Sequence, residues 1–230
     1  MPPRLSTRHC GGRLPAALRA SPPGSRWLFN VLLALLLATG APRLWADDES
    51  PARVLVLTTA ITVLERLRAE SDVIAANPAR LDEIARETVL PHFDFPRMSQ
   101  RVLGIHWRNA TADQRARFLS EFTTLLVRTY AKAIYEYRES AVNVLPAREL
   151  GPATQRVRTE VSRGGGVRPL QVDYDVYHAE NDWKVVDVAI SGISLVVSYR
   201  AGFNADIGKL GMDGLIAQIA EHNAQKGASG

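Results

Sequence analysis

The 230-residue sequence contains one cysteine, Cys10. A disulfide framework is therefore excluded, as is any metal site built on paired thiolates. It also lacks the ~20 consecutive apolar residues that a membrane-spanning helix requires. Its longest apolar run, WLFNVLLALLLA from Trp27 to Ala38, is short and is broken by Asn30. No H-E-x-x-H, P-loop or G-x-S-x-G pattern occurs, which removes the commonest local signatures of metalloprotease, nucleotide and hydrolase chemistry.

Acidic residues are missing from the first 46 positions, whereas Arg4, Arg8, Arg13, Arg19, Arg26 and Arg43 all lie there. A basic start, a short apolar core and small residues up to Ala46 form the layout of a secretory signal peptide. Cleavage is expected after Ala46, dividing the chain into a leader, residues 1–46, and one domain, residues 47–230. Taking those six arginines from the 28 basic residues leaves 22 against 24 acidic ones, so the net charge changes from +4 to −2. The basic pI of about 9.5 belongs to the leader, and nucleic acid loses its support as a partner. Cys10 leaves with the leader. About 184 residues remain, enough to bury ~70% of the unfolded surface in a single domain. An exported domain of this size without disulfides points to a bacterial periplasm.

The remaining chain reads as helices followed by strands, an α+β pattern. Val54, Leu57, Ile61 and Leu64 recur at helical spacing, and Asn77-Pro78 opens a second helix carrying Leu81, Ile84 and Val89. Asp94 is placed to cap the helix running to Leu103, with Gly104 at its end. Thr111 and Gln114 form a capping box. Behind it runs one long apolar stripe: Phe118, Phe122, Leu125, Leu126, Tyr130, Ile134 and Tyr137. From Ala141 the period changes to two. Val157 and Val161 alternate with charged residues, as do Leu170, Val172, Tyr174 and Val176, and a further strand covers 182–190. Helices are expected over 193–208 and 213–223.

Three features invite a chemical reading. LPHFDFPRMSQRVLGIHW, Leu90 to Trp107, brings His92, Asp94 and His106 close in sequence, but a zinc site needs three or four convergent ligands, and helix capping already accounts for Asp94. Asp187 interrupts an apolar strand, where a carboxylate can serve as a general base; a hydrogen-bonded structural aspartate is the plainer alternative. Arg163-Gly-Gly-Gly166 looks like a phosphate loop, yet between two alternating strands it reads as a hairpin turn. The abundant apolar material has two readings that periodicity alone leaves open. Sheet and helices either fill the space between them or stand apart around a ligand cavity.

VLPHFDFPRMSQRVLGIHWRNATADQRARFLSEFTTLLVRTYAKAI, Val89 to Ile134, resembles the signature of the MlaC, or toluene-tolerance auxiliary, family. DWKVVDVAISGISLVVSYRAGFNADIGKLGMDGLIAQI is similar to that family's C-terminal signature, and the likeness covers about residues 51–224. Pro96 departs from the pattern, at an early-turn position that tolerates proline.

The resemblance implies a cone-like fold related to the NTF2 group, with a helical first half packed on a curved antiparallel sheet of about four strands around an apolar cavity. It implies a periplasmic phospholipid shuttle, not an enzyme, with no cofactor apart from the lipid cargo. The partners it implies are glycerophospholipid, an outer-membrane lipoprotein–porin complex and an inner-membrane MCE-domain ABC transporter, the task being outer-membrane lipid asymmetry. Lipid contact is expected from Val157, Val161, Leu170, Val172, Tyr174, Val176, Val186 and Val188 on the sheet. Phe122, Leu126 and Tyr130 are expected to contribute from the long helix. Ile193 matches a lipid-facing position of the family motif, so a carboxylate there is expected to repel acyl chains. The rival class is an exported cavity enzyme built around Asp187.

Overall fold

A computed structural model describes residues 50–180 and 182–228. The expected leader and its cleavage point lie outside the described residues. The first helix, α1 (Pro51–Ala69), is capped by Ser50, whose side chain accepts from the Arg53 amide at 3.2 Å. It buries Ala52, Val56, Val63 and Leu67 and exposes Val54 and Ile61, so the stripe read from Val54, Leu57, Ile61 and Leu64 is not the buried one. Apolar residues occupy most of this helix's circumference, and spacing alone cannot choose a face.

A short helix, α2 (Ser71–Ala76), intervenes before α3 (Arg80–Thr88). Asn77 closes α2 instead of opening α3, whose cap position is Ala79. Glu70 joins all three helices, accepting from Arg66 at 2.8 Å and from Arg80 at 2.6 Å. The Arg80 and Arg66 hydrogen bonds hold its carboxyl down to about 2. A 3₁₀ turn (Leu90–His92) leads to α4 (Phe95–Leu103), where Asp94 accepts from the Arg97 amide at 2.9 Å and Pro96 sits in the first turn. After α5 (Ile105–Asn109) comes α6 (Ala112–Glu136). The Thr111–Gln114 capping box is formed in both directions, at 3.1 and 3.0 Å.

The sheet has six antiparallel strands where about four were expected: β1 (Ala141–Val144), β2 (Arg148–Gly151), β3 (Thr154–Ser162), β4 (Leu170–Ala179), β5 (Asp182–Ile190) and β6 (Ile193–Ser194). Their order is β1-β3-β4-β5-β6, with β2 paired to the remaining length of β3. The extra strands have two to four residues each and Pro146 separates β1 from β2, so none is long enough to display alternation. The chain ends in α7 (Leu195–Ala228), broken at Gly211, where φ is +72°. That break falls where two separate helices were expected; Ile193, however, belongs to β6.

A bulge changes the parity of β5. Asp175 pairs with Asp187, but the next residue, Val176, pairs with Val185. Val185 therefore joins Val188 on the helix-facing side, the position that strict alternation gives to Val186. On the opposite face the strands are linked by charge: Arg156 holds Asp175 at 2.7 and 3.0 Å, and Arg158 reaches Asp173 at 3.2 Å.

Buried apolar residues fall into three clusters. One joins α1 to the sheet through Ala52, Val56, Val157 and Val176. The second joins α4, α6 and α7 through Met98, Phe118, Phe122, Phe203 and Leu215. The third joins α1, α2, α3 and α6 through Val63, Ile74, Ile84 and Ala131.

Candidate functional site

Where the three clusters meet, the helices and the sheet enclose a cavity of about 290 Å³. Each cluster contributes to its wall: Val56 and Val188 from the first, Met98 and Leu126 from the second, Val63 and Ala131 from the third. Among the described residues no aspartate, glutamate, lysine or arginine lines it. Such a surface has nothing to offer an ionic solute, and its only large favourable interaction is with apolar matter.

The Thr59 hydroxyl on α1 finds no hydrogen-bond partner among the described residues, while other polar groups of the wall turn inward to the protein. Thr159 donates to the Val172 carbonyl at 3.0 Å. Burial pushes the Tyr174 phenol up to about 12, with a hydrogen bond to Thr159 opposing the shift. Tyr130 hydrogen-bonds Tyr199, whose phenol is held above its ordinary value chiefly by burial. These hydroxyls are spent on the scaffold.

The cavity is elongated. It follows α6 from Leu126 to Tyr137, a rise of about 16 Å, and it follows β4 from Leu170 to Tyr174, about 14 Å. The apolar thickness of one bilayer leaflet, half of ~30 Å, is about the same. Beyond Tyr174 the sheet end is closed, since Val157 and Val176 are completely buried against α1. Ala133 and Ile134 are the exposed residues of the lining, which puts the open rim beside the last turn of α6.

Seven of the twelve residues proposed from sequence stand on this wall: Leu126, Tyr130, Val161, Leu170, Val172, Tyr174 and Val188. Five do not. Phe122 stacks on Phe118 at 5.4 Å inside the helical core, because the broad stripe of α6 serves two partners. Val157 and Val176 fill the closed end. The bulge removes Val186 from the cavity face, and Ile193 is 65% exposed on β6. Sequence reasoning missed the α1 wall of Leu55, Thr59, Ala60 and Val63, as well as Phe93, Phe95 and Val185. The available signal was the small side chains Ala60, Ala85 and Ala131 facing inward from three different helices.

The HFD segment is a junction. Phe93 bridges to Val185, and the Asp94 amide donates to the Val185 carbonyl at 2.9 Å, at the β5 bulge. His92 touches the cavity, Asp94 caps α4, and His106 lies in α5. Among the described residues no three His, Cys, Asp or Glu side chains are grouped to hold a metal. Asp187 is outside the cavity lining. Its carboxylate accepts from the Val188 amide at 2.8 Å, the Val196 amide at 3.1 Å and the Ser194 hydroxyl. Gly164, Gly165 and Gly166 form the β3–β4 turn with φ of +78°, +65° and +76°, values in the left-handed region that glycine tolerates.

No helix among the described residues is long and apolar enough to cross a membrane. The chain is similar to the intermembrane phospholipid transport system binding protein MlaC of Haemophilus influenzae, 26% identical over 203 residues, covering 87% of this chain and 94% of that one. It is also similar to toluene tolerance protein ttg2D of Pseudomonas putida, 27% identical over 171 residues, with 74% and 78% covered. Among solved structures, a phospholipid-binding protein from Ralstonia solanacearum in complex with a phospholipid superposes with a TM-score of 0.71 at 32% identity. That match covers 77% of this chain and 99% of the other. The family model described as MlaC protein matches residues 58–221, and the chain belongs to the MlaC family.

Proposed function

We propose that this protein is a phospholipid carrier of the periplasm, and that it performs no chemistry and needs no cofactor. The observation that carries the reading is the cavity: elongated, lined by no aspartate, glutamate, lysine or arginine among the described residues, and as long as one acyl layer. The relatives point the same way, one being a phospholipid transport binding protein and another having been solved with a phospholipid bound. Each methylene taken from water contributes ~0.8 kcal/mol, so two acyl chains supply on the order of 20 kcal/mol before opposing terms. A ligand held so firmly leaves slowly into water. Direct hand-over at docked partners is the physical solution, and the outer-membrane lipoprotein–porin complex and the inner-membrane MCE transporter are the partners proposed. The enzyme reading draws no support from Asp187, whose carboxylate is occupied by two amides and a hydroxyl.

Native mass spectrometry of the protein, exported and purified without detergent, tests the reading. A bound mass equal to one or more phospholipids, heterogeneous in acyl length, is expected. A lipid-free mass that persists after incubation with phospholipid vesicles would sink it.

A further inference from the structure

The open rim of the cavity leads directly onto the β3–β4 hairpin. Val161 and Leu170, both lining the cavity, are the last paired residues of that hairpin. The turn that continues from them carries Arg163 and Arg168 at either side of the three glycines. Arg163 lies over the ring of Tyr137, 3.7 Å from its centre, and Tyr137 is itself part of the cavity lining, one turn beyond the exposed Ile134.

These two cations are committed differently from their neighbours. Arg156 and Arg158 are hydrogen-bonded to Asp175 and Asp173. The carboxylate nearest Arg163 is that of Glu136, 3.9 Å away, at the outer limit of an ion pair. Arg168 makes no hydrogen bond or ion pair among the described residues. A Cβ placed on Gly164, Gly165 or Gly166 would meet nothing within 4 Å, so there is open room beside Arg163. Tyr137 holds the guanidinium at the rim while the Arg163 side chain stays 44% exposed, so its fork of donors is available to a tetrahedral oxyanion.

We propose that this turn is the headgroup site: Arg163, assisted by Arg168, binds the phosphate of a phospholipid whose acyl chains occupy the cavity. The proposal rests on the carrier reading and adds what that reading lacks, a basis for preferring a phospholipid over an uncharged diacylglycerol. Apolar walls cannot make this distinction, because both molecules present the same acyl chains to them. The phosphate diester carries the charge, and the rim carries its complement.

The test offers lipid-stripped protein vesicles of phosphatidylcholine containing phosphatidylglycerol and diacylglycerol of identical acyl composition, and measures the ratio of the two bound. Wild type is expected to favour phosphatidylglycerol, and R163Q/R168Q to lower that ratio about fivefold, as befits solvent-exposed charge-assisted contacts. Diacylglycerol uptake should be unchanged, and R163K/R168K should recover most of the ratio. If the double variant folds poorly because Arg163 packs on Tyr137, R168Q alone should still lower the ratio about twofold. An unchanged ratio in folded variants overturns the headgroup site while the carrier reading stands. Wild type that takes up no lipid from these vesicles, phosphatidylcholine included, overturns the carrier reading itself. Titration with inorganic phosphate alone separates the two sources of the anion: tight binding to lipid-free protein, with no change of lipid ratio in the variants, assigns the turn to free phosphate and overturns the headgroup assignment.

Discussion

The Asp187 carboxylate accepts the Val196 amide at 3.1 Å, tying the middle of β5 to the first turn of α7. The same group accepts from the Ser194 hydroxyl, and Ser194 in turn accepts from the Val197 amide at 3.1 Å. Two amides that the helix cannot satisfy for itself are thereby paired. Asp187→Ala should lower unfolding free energy by about 2 kcal/mol, the usual value for hydrogen bonds to a charged group. Denaturant midpoints measure that loss. Lipid extracted per folded molecule should stay at the wild-type level, and a fall in lipid content without loss of stability would contradict the structural role.

Charge placed inside and outside the cavity should act oppositely. Val172 lines the wall, so Val172→Glu forces an unpaired carboxylate against acyl chains. Bound phospholipid should drop at least about tenfold, since even part of that desolvation penalty exceeds one decade of affinity. Ile193→Glu, which the family resemblance marks as damaging, adds a charge to a side chain already 65% exposed. It should keep its full cargo. Lipid phosphorus per mole of protein reads both variants, and loss of lipid by Ile193→Glu would return that residue to the site.

Sequence legibility followed locality. The Asp94 cap, the Thr111–Gln114 box and the alternation of β3 and β4 are decided by neighbours within a few residues, and each was readable. The face of α1 was not, because Val54, Leu55, Val56 and Leu57 offer an apolar side in almost every direction. Val186 was misplaced by one bulge, a two-strand event that no single strand records. Whether the apolar faces of α6 and the sheet met or stood apart depended on three clusters that close around a gap instead of merging. That is a property of the assembled helices.

The network at Glu70 should make the helical wall acid-sensitive. Its folded carboxyl is held at about 2, below the ordinary 4.5, chiefly by Arg80 and Arg66. A depressed carboxyl contributes stability that is complete above its unfolded value and is lost as pH falls through the folded one. Thermal midpoints should therefore decline between pH 4.5 and 2. Glu70→Gln should start lower at neutral pH and decline less across that window. Parallel curves for the two proteins would mean that Glu70 does not couple the helices.

Tyr174 predicts the opposite limb of the pH profile. Its phenol is raised to about 12 from 10 by burial at the cavity, so the unfolded chain releases this proton first. Between pH 10 and 12 the unfolded state binds fewer protons than the folded one, and stability falls as pH rises. Two pKa units correspond to about 2.7 kcal/mol as an upper bound, reached only near pH 12. Tyr174→Phe should flatten that part of the curve, leaving the remaining fall to Tyr199, which is also held high by burial. Cargo supplies a second readout. Acyl chains against Tyr174 remove water from the phenol and disfavour its anion further, so phospholipid-loaded protein should show tyrosinate absorbance at higher pH than stripped protein. If loading leaves the titration of wild type unchanged, the lipid does not lie against Tyr174.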